Sequence, residues 1–94
     1  MRVVGRKRLV QFAKQHSVAR PAVAAWLAEA ERAEWKGPQD IKNRFSSASF
    51  LANNQVVFNL GGNKFRLVVV VAYAHGVVVI KKVGTHAEYS GWKL

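Results

Sequence analysis

The chain has 94 residues, half of them hydrophobic, and carries fifteen Lys and Arg against five Asp and Glu, a formal charge of +10 at pH 7. Its length predicts one domain spanning residues 1–94, and its hydrophobic half is too large for a disordered basic tail. The charge excludes an acidic scaffold and points to a polyanionic partner, nucleic acid or a membrane surface. Few carboxylates and no Cys leave a poor ligand supply for hard divalent cations and none for thiolate-bound zinc, so no metal or other cofactor is expected.

The start, MRVVGRKRLVQF, is basic but lacks the continuous apolar stretch of a signal peptide. The longest apolar run, Leu67 to Ala74, falls far short of the ~20 residues of a membrane helix. A cytoplasmic protein without membrane attachment is the expectation.

Met1 to Val4 reads as a short strand broken at Gly5. From Arg6 to His16, residues Leu9, Phe12, Ala13 and His16 form one apolar stripe of an amphipathic helix, with Lys7, Gln11 and Lys14 away from it. A second helix runs from about Pro21 to Trp35, its stripe Val23, Trp26, Leu27, Ala30 and Ala33, and Lys36-Gly37-Pro38 stops it. Gln39 to Phe45 reads as one more helical turn and Ser46 to Ser49 as loop.

Beyond Asn53-Asn54 the residues become β-branched and aromatic: Val56 to Phe58, Phe65 to Tyr73 and Val77 to Val83. Short glycine-containing links, Leu60-Gly61-Gly62 and Ala74-His75-Gly76, predict an antiparallel meander. Apolar residues at every position from Val68 to Val71 predict a central strand covered on both faces. The order β-α-α-β-β-β makes this an α+β fold, with helices packed on one side of a twisted antiparallel sheet.

The charge is unevenly spread. Residues 1 to 28 and 41 to 87 each hold six basic side chains and no acid, while Glu29, Glu31, Glu34 and Asp40 crowd between them. Lys64 and Arg66 project to one face of a strand, opposite Phe65 and Leu67. A hairpin turning at His75 brings position 66 near 82 or 83, so Lys81 and Lys82 approach it. An acid-free cationic strip beside aromatics reads as a phosphate track. His86 and Tyr89, three residues apart, share a face if Thr85 caps a helical turn. His is the side chain suited to proton transfer at neutral pH, Arg holds phosphate in bidentate fashion, and a Tyr near cations can hydrogen-bond there. The other candidates have plainer roles: His16 as a half-buried stripe member, His75 as a turn residue, Gly61 and Gly62 as hairpin geometry, Trp26 as core. Trp35 and Trp92 fit either core or interface.

The segment from Val57 through Asn59-Leu60-Gly61-Gly62-Asn63 to Arg66-Leu67, followed by Ile80-Lys81-Lys82-Val83-Gly84-Thr85-His86-Ala87-Glu88-Tyr89, resembles the HigB-type toxins of the RelE superfamily. The resemblance covers the C-terminal half, where two separated motifs occur in the family's order. It implies a small RelE-like α+β fold and a toxin of a type II toxin–antitoxin system that cuts mRNA on the translating ribosome. It further implies a HigA-type helix-turn-helix antitoxin as partner, beside mRNA on the ribosome. Carried residue by residue, it marks Asn59, Asn63, Arg66, Lys81, His86 and Tyr89. His86, Arg66, Lys81 and Tyr89 are then the expected catalytic set, and Lys64, Lys82, Asn59, Asn63, Lys7 and Lys14 the expected RNA contacts. Two departures stand out. Lys81 replaces a frequent Arg, keeping charge but losing the fork geometry, and Ser90 stands where an Asp is frequent. The same basic face would also serve a non-catalytic RNA- or ribosome-binding module, or a subunit that binds an acidic protein.

Overall fold

A computed structural model describes residues 1–94. The predicted stripe of the first helix, α1 (Arg6–Gln15), is the side that packs inward: Leu9, Phe12 and Ala13 are buried. His16 stacks on Phe12 at 4.3 Å between ring centroids and meets Phe65 edge-on at 6.0 Å, a half-buried member of the stripe. After a single 3₁₀ turn, α2 (Arg20–Arg32) carries Pro21 in its first turn and buries Val23, Trp26, Leu27 and Ala30.

The second helix stops at Arg32, three residues before the expected end at Trp35. Ala33 is already extended (φ −72°, ψ 155°), which swings Trp35 into the core against Phe58 and Phe45. The predicted extra turn is a helix in its own right, α3 (Pro38–Arg44), with Ile41 buried. The amide of Lys36 donates to the Asp40 carboxylate at 2.8 Å, fixing the bend between the two helices.

Five strands follow the order β1-β5-β4-β3-β2: β1 (Arg2–Val4), β2 (Ser49–Leu51), β3 (Gln55–Leu60), β4 (Phe65–Ala72) and β5 (Val77–Thr85). The meander of the last three is antiparallel as predicted. Two features correct the sequence reading. The expected loop ends in a short edge strand, β2, that hairpins onto β3 through Asn53 and Asn54, both in the left-handed region that Asn tolerates better than most residues. And β1 joins the edge of β5 in parallel, pairing Arg2, Val3 and Val4 with Val77, Val78 and Val79, so the sheet is mixed rather than wholly antiparallel. Periodicity identifies a strand but not its partner, and β1 lies over seventy residues from β5 in sequence.

The two faces of the sheet are buried by different means. Phe58, Leu60, Phe65, Leu67, Val69, Val71, Val78 and Ile80 face the helices and form one core with them, with Trp26 edge-on to Phe58 at 5.3 Å. On the opposite face Val57 and Val68 pair directly and are also fully buried, outside that helix-side cluster. This is the two-sided burial that the valine run predicts. Gln55 and Arg66, both buried, share this face with them.

Two substitutions test this packing. Leu67→Ala, at a position with no exposed surface, is expected to lower unfolding free energy by about 2–5 kcal/mol in urea. Trp26→Phe should cost far less than Trp26→Ala, because Phe keeps an aromatic ring against Phe58 where Ala leaves a cavity, while both remove the buried indole N–H that has no hydrogen-bond partner.

Candidate functional site

Arg66, the second residue of β4, projects from the sheet face opposite α1, α2 and α3 and is buried, 7% exposed. Strand register places it beside Asn59 on β3 and Gly84 on β5. The expected neighbour was position 82 or 83. The shift comes from a β-bulge: Val68 pairs with Lys82 and Val69 with Ile80, leaving Lys81 as the extra residue. Such a bulge re-aims side chains at the end of a strand. Here it lets adjacent lysines leave β5 from one irregular point.

Nothing acidic pairs with Arg66. The two ion pairs in the molecule are Arg6–Glu31 and Arg44–Glu29, both elsewhere. Its guanidinium instead donates to the Asn63 carbonyl (2.9 Å), the Asn63 side-chain oxygen (2.6 Å) and the Phe65 carbonyl (3.1 Å). Neutral oxygens orient the fork without cancelling its charge, and remaining N–H donors are left for a ligand. Asn63 therefore supports Arg66, from a left-handed backbone conformation (φ 87°). Tyr89 lies 5.6 Å from the Arg66 guanidinium carbon, within cation–π range.

Lys81 is held at two points. Its ammonium donates to Oε1 of Gln55, whose own amide donates to the Ala52 carbonyl at 3.0 Å, so the Gln55 oxygen is turned toward the lysine. Since Gln55 is on β3 and Lys81 on β5, the lysine side chain crosses β4 and covers its valines. The Lys81 carbonyl accepts from the Arg8 guanidinium of α1 at 2.7 Å. Lys82 sits 5.5 Å over the ring of Trp92, which in turn meets Tyr89 edge-on at 5.8 Å. These contacts join Arg66, Tyr89, Trp92 and Lys82 into one continuous cationic and aromatic surface.

The last helix, α4 (His86–Tyr89), is short and strongly capped. The Thr85 amide donates to the Glu88 carboxylate at 2.8 Å and the Glu88 amide to the Thr85 hydroxyl at 3.2 Å, a reciprocal capping box. Hydrogen bonds from the Thr85 backbone and then its hydroxyl hold the Glu88 carboxyl below its ordinary range. Gly84 is required by space: a Cβ there would stand 2.8 Å from the Trp92 ring and 2.9 Å from Glu88 Oε1. The His86 amide donates to the Lys64 carbonyl at 3.0 Å, tying α4 to the β3–β4 hairpin. The His86 imidazole is exposed and makes no hydrogen bond within the protein, and Lys64 is exposed beside it in the chain path.

A cleft of about 440 Å³ opens between α1 and the end of β5, lined among others by Arg8, Gln11, Gln15, Lys81, Lys82, Glu88 and Trp92. The α1 residues that reach it are Arg8, Gln11, Phe12 and Gln15. Lys7 and Lys14 lie with Arg6 and Val10 on another face of the helix. Three contributors have little signal in the sequence. Gln55 shows only as a lone polar residue opening a valine-rich strand, Arg8 is one of several cations on α1, and Trp92 lies beyond the last motif.

Fold and site together describe a small α+β domain with an electropositive, aromatic-lined sheet face. A scan of family models matches residues 19–92 to the HigB toxins, the RelE-like toxic component of a toxin–antitoxin system. The match covers well over half of the chain, and the protein belongs to this family. It is therefore a toxin with a cognate antitoxin. A search of curated proteins gives no significant match. No helix is long and apolar enough to cross a membrane.

The capping box generates a pH prediction. A carboxyl whose folded pKa is depressed contributes stability above its unfolded value, near 4.5, and loses it as pH falls through the folded value. The environment of half-buried Trp92 should therefore change by fluorescence below about pH 4.5, and Glu88→Ala should abolish that transition. Gly84→Ala should unseat Trp92 at every pH.

Proposed function

We propose that this toxin is a metal-independent endoribonuclease that cleaves mRNA on the translating ribosome, in the cytoplasm. The observation that supports it most is the buried, acid-free guanidinium of Arg66, set beside Tyr89 on an open cationic face. A pre-oriented cation without a counter-ion is suited to an oxyanion that gains charge during reaction.

The reaction is attack of a ribose 2′-OH on the adjacent phosphorus. The O2′–P bond forms, the P–O5′ bond breaks, and the products are a 2′,3′-cyclic phosphate and a 5′-OH end. A base takes the 2′ proton and an acid returns one to the leaving O5′. Arg66 and Lys81 hold the phosphoryl oxygens, with Gln55 and Asn63 fixing their directions. His86, whose ring nitrogens are unengaged, transfers protons, and Tyr89 orients the phosphate through its hydroxyl. Lys82, Lys64, Asn59 and Arg8 hold flanking RNA, and Trp92 offers a ring for a base to stack on. The carboxylates that hard-metal catalysis would need are mostly elsewhere: Glu29, Glu31, Glu34 and Asp40 cluster around the end of α2 and the start of α3.

Induction of the chain alone, followed by mapping of mRNA 5′ ends, tests this reading. Growth arrest with new 5′-OH ends in translated regions is expected, and the purified chain should produce the same ends in a translating extract. Arg66→Ala should slow cleavage by about 10²–10³-fold, and His86→Ala by about 10²–10⁴-fold. Lys64→Ala should instead weaken RNA binding about uniformly across sequences and lower the salt slope by about one. Salt-sensitive binding that leaves RNA intact would establish a binding module in place of a nuclease.

A further inference from the structure

The outer faces of α1 and α2 meet in a second groove, also about 440 Å³, that shares no residue with the cleft beside Lys81. Its lining is mainly aliphatic, with Val23 and Leu27 buried at the floor and Val10 and Ala24 exposed on the walls. Three cations, Arg6, Lys14 and Arg20, stand around it against a single carboxylate, Glu31, which Arg6 already approaches at 3.9 Å. We propose that this groove is where the cognate antitoxin docks, inserting the apolar face of an amphipathic helix flanked by carboxylates. The proposal rests on membership of a toxin–antitoxin family and is independent of the nuclease reading.

The chemistry of the groove selects that occupant. Aliphatic side chains in a helix–helix groove receive the i, i+3, i+4, i+7 anchors of a helix. The excess of cations favours acids on its flanks and speeds association with an acidic partner. RNA is a poor fit, because the lining offers aliphatic groups and no aromatic ring on which a base could stack. A second copy of the chain brings a net charge of +10 toward the same cations. Lys14, an expected RNA contact, belongs to this margin. Docking here leaves Arg66 and Lys81 uncovered, so antitoxin and RNA occupy different surfaces.

The test titrates the purified full-length chain with the antitoxin encoded with it, and co-expresses the pair for growth. Ala24→Arg puts a bulky cation on the exposed wall, where Arg remains a good helix former. It is expected to weaken antitoxin binding about thirtyfold or more and to restore growth arrest in the presence of antitoxin. Arg20→Glu, on the exposed first turn of α2, should slow association and flatten its salt dependence. Both variants should arrest growth when expressed alone. Thermal unfolding identifies any variant that fails to fold, and Arg20→Glu then carries the test. Parent-like affinity in the folded variants overturns the proposal. So does antitoxin-induced amide protection confined to β3–β5 and α4. Self-association, or binding to anionic vesicles, that Ala24→Arg abolishes while antitoxin affinity stays unchanged also overturns it. If the chain arrests growth without cutting RNA, the nuclease reading fails while the binding measurements still decide this one.

Discussion

Burial of an unpaired guanidinium is the constraint around which the sheet face opposite α1, α2 and α3 is arranged. Desolvating a charge is costly, and a carboxylate partner would offset that cost while neutralising the cation. Arg66 has only neutral oxygens, two of them from Asn63 and one from Phe65. Those oxygens come from the hairpin that turns through Gly61, Gly62 and Asn63, all at positive φ. The hairpin is in turn tied to α4 through the Lys64 carbonyl, and α4 carries Tyr89 toward Arg66. Turn geometry, helix capping and the charge of the site are therefore one mechanical unit.

The second dependency is the bulge at Lys81. Had β5 continued in regular alternation past Ile80, Lys81 and Lys82 would point to opposite faces of the sheet, one of them toward the helices. The extra residue resets the alternation so that Val83 packs toward the core while Lys81 reaches Gln55 across β4. The Arg8 bond to the Lys81 carbonyl ties this irregular backbone to α1. A cation that would oppose core formation instead lays its aliphatic stem across β4, with its ammonium on Gln55.

The charge distribution separates surfaces with different tasks. The acids at the end of α2 and the start of α3 find local partners, as in Arg44–Glu29 and Arg6–Glu31. Glu88 is engaged by the α4 cap. The cations of β4 and β5 have no such partners, so their field is available to a polyanion. The α1–α2 groove mixes cations with aliphatic surface, a different recognition chemistry on the same small protein.

The sequence alone carried the helix stripes, the valine meander, the acid-free cationic stretches and the motif that singles out Arg66, Lys81, His86 and Tyr89, of which the fold sets Tyr89 beside Arg66. These are local patterns, and period, turn residues and motif spacing report local conformation directly. It did not show that β1 would lie parallel to β5, that Ser49–Leu51 would form an edge strand, or that α2 would end early to bury Trp35. Nor did it show Gln55, Arg8 and Trp92 at the site, or α1 presenting Arg8 to the cleft and Lys14 to a separate groove. Most depend on contacts between distant segments or on a single-residue bulge that reverses the facing of a strand. Such choices are made by competition for the core and for hydrogen bonds in three dimensions, so only the folded chain decides them.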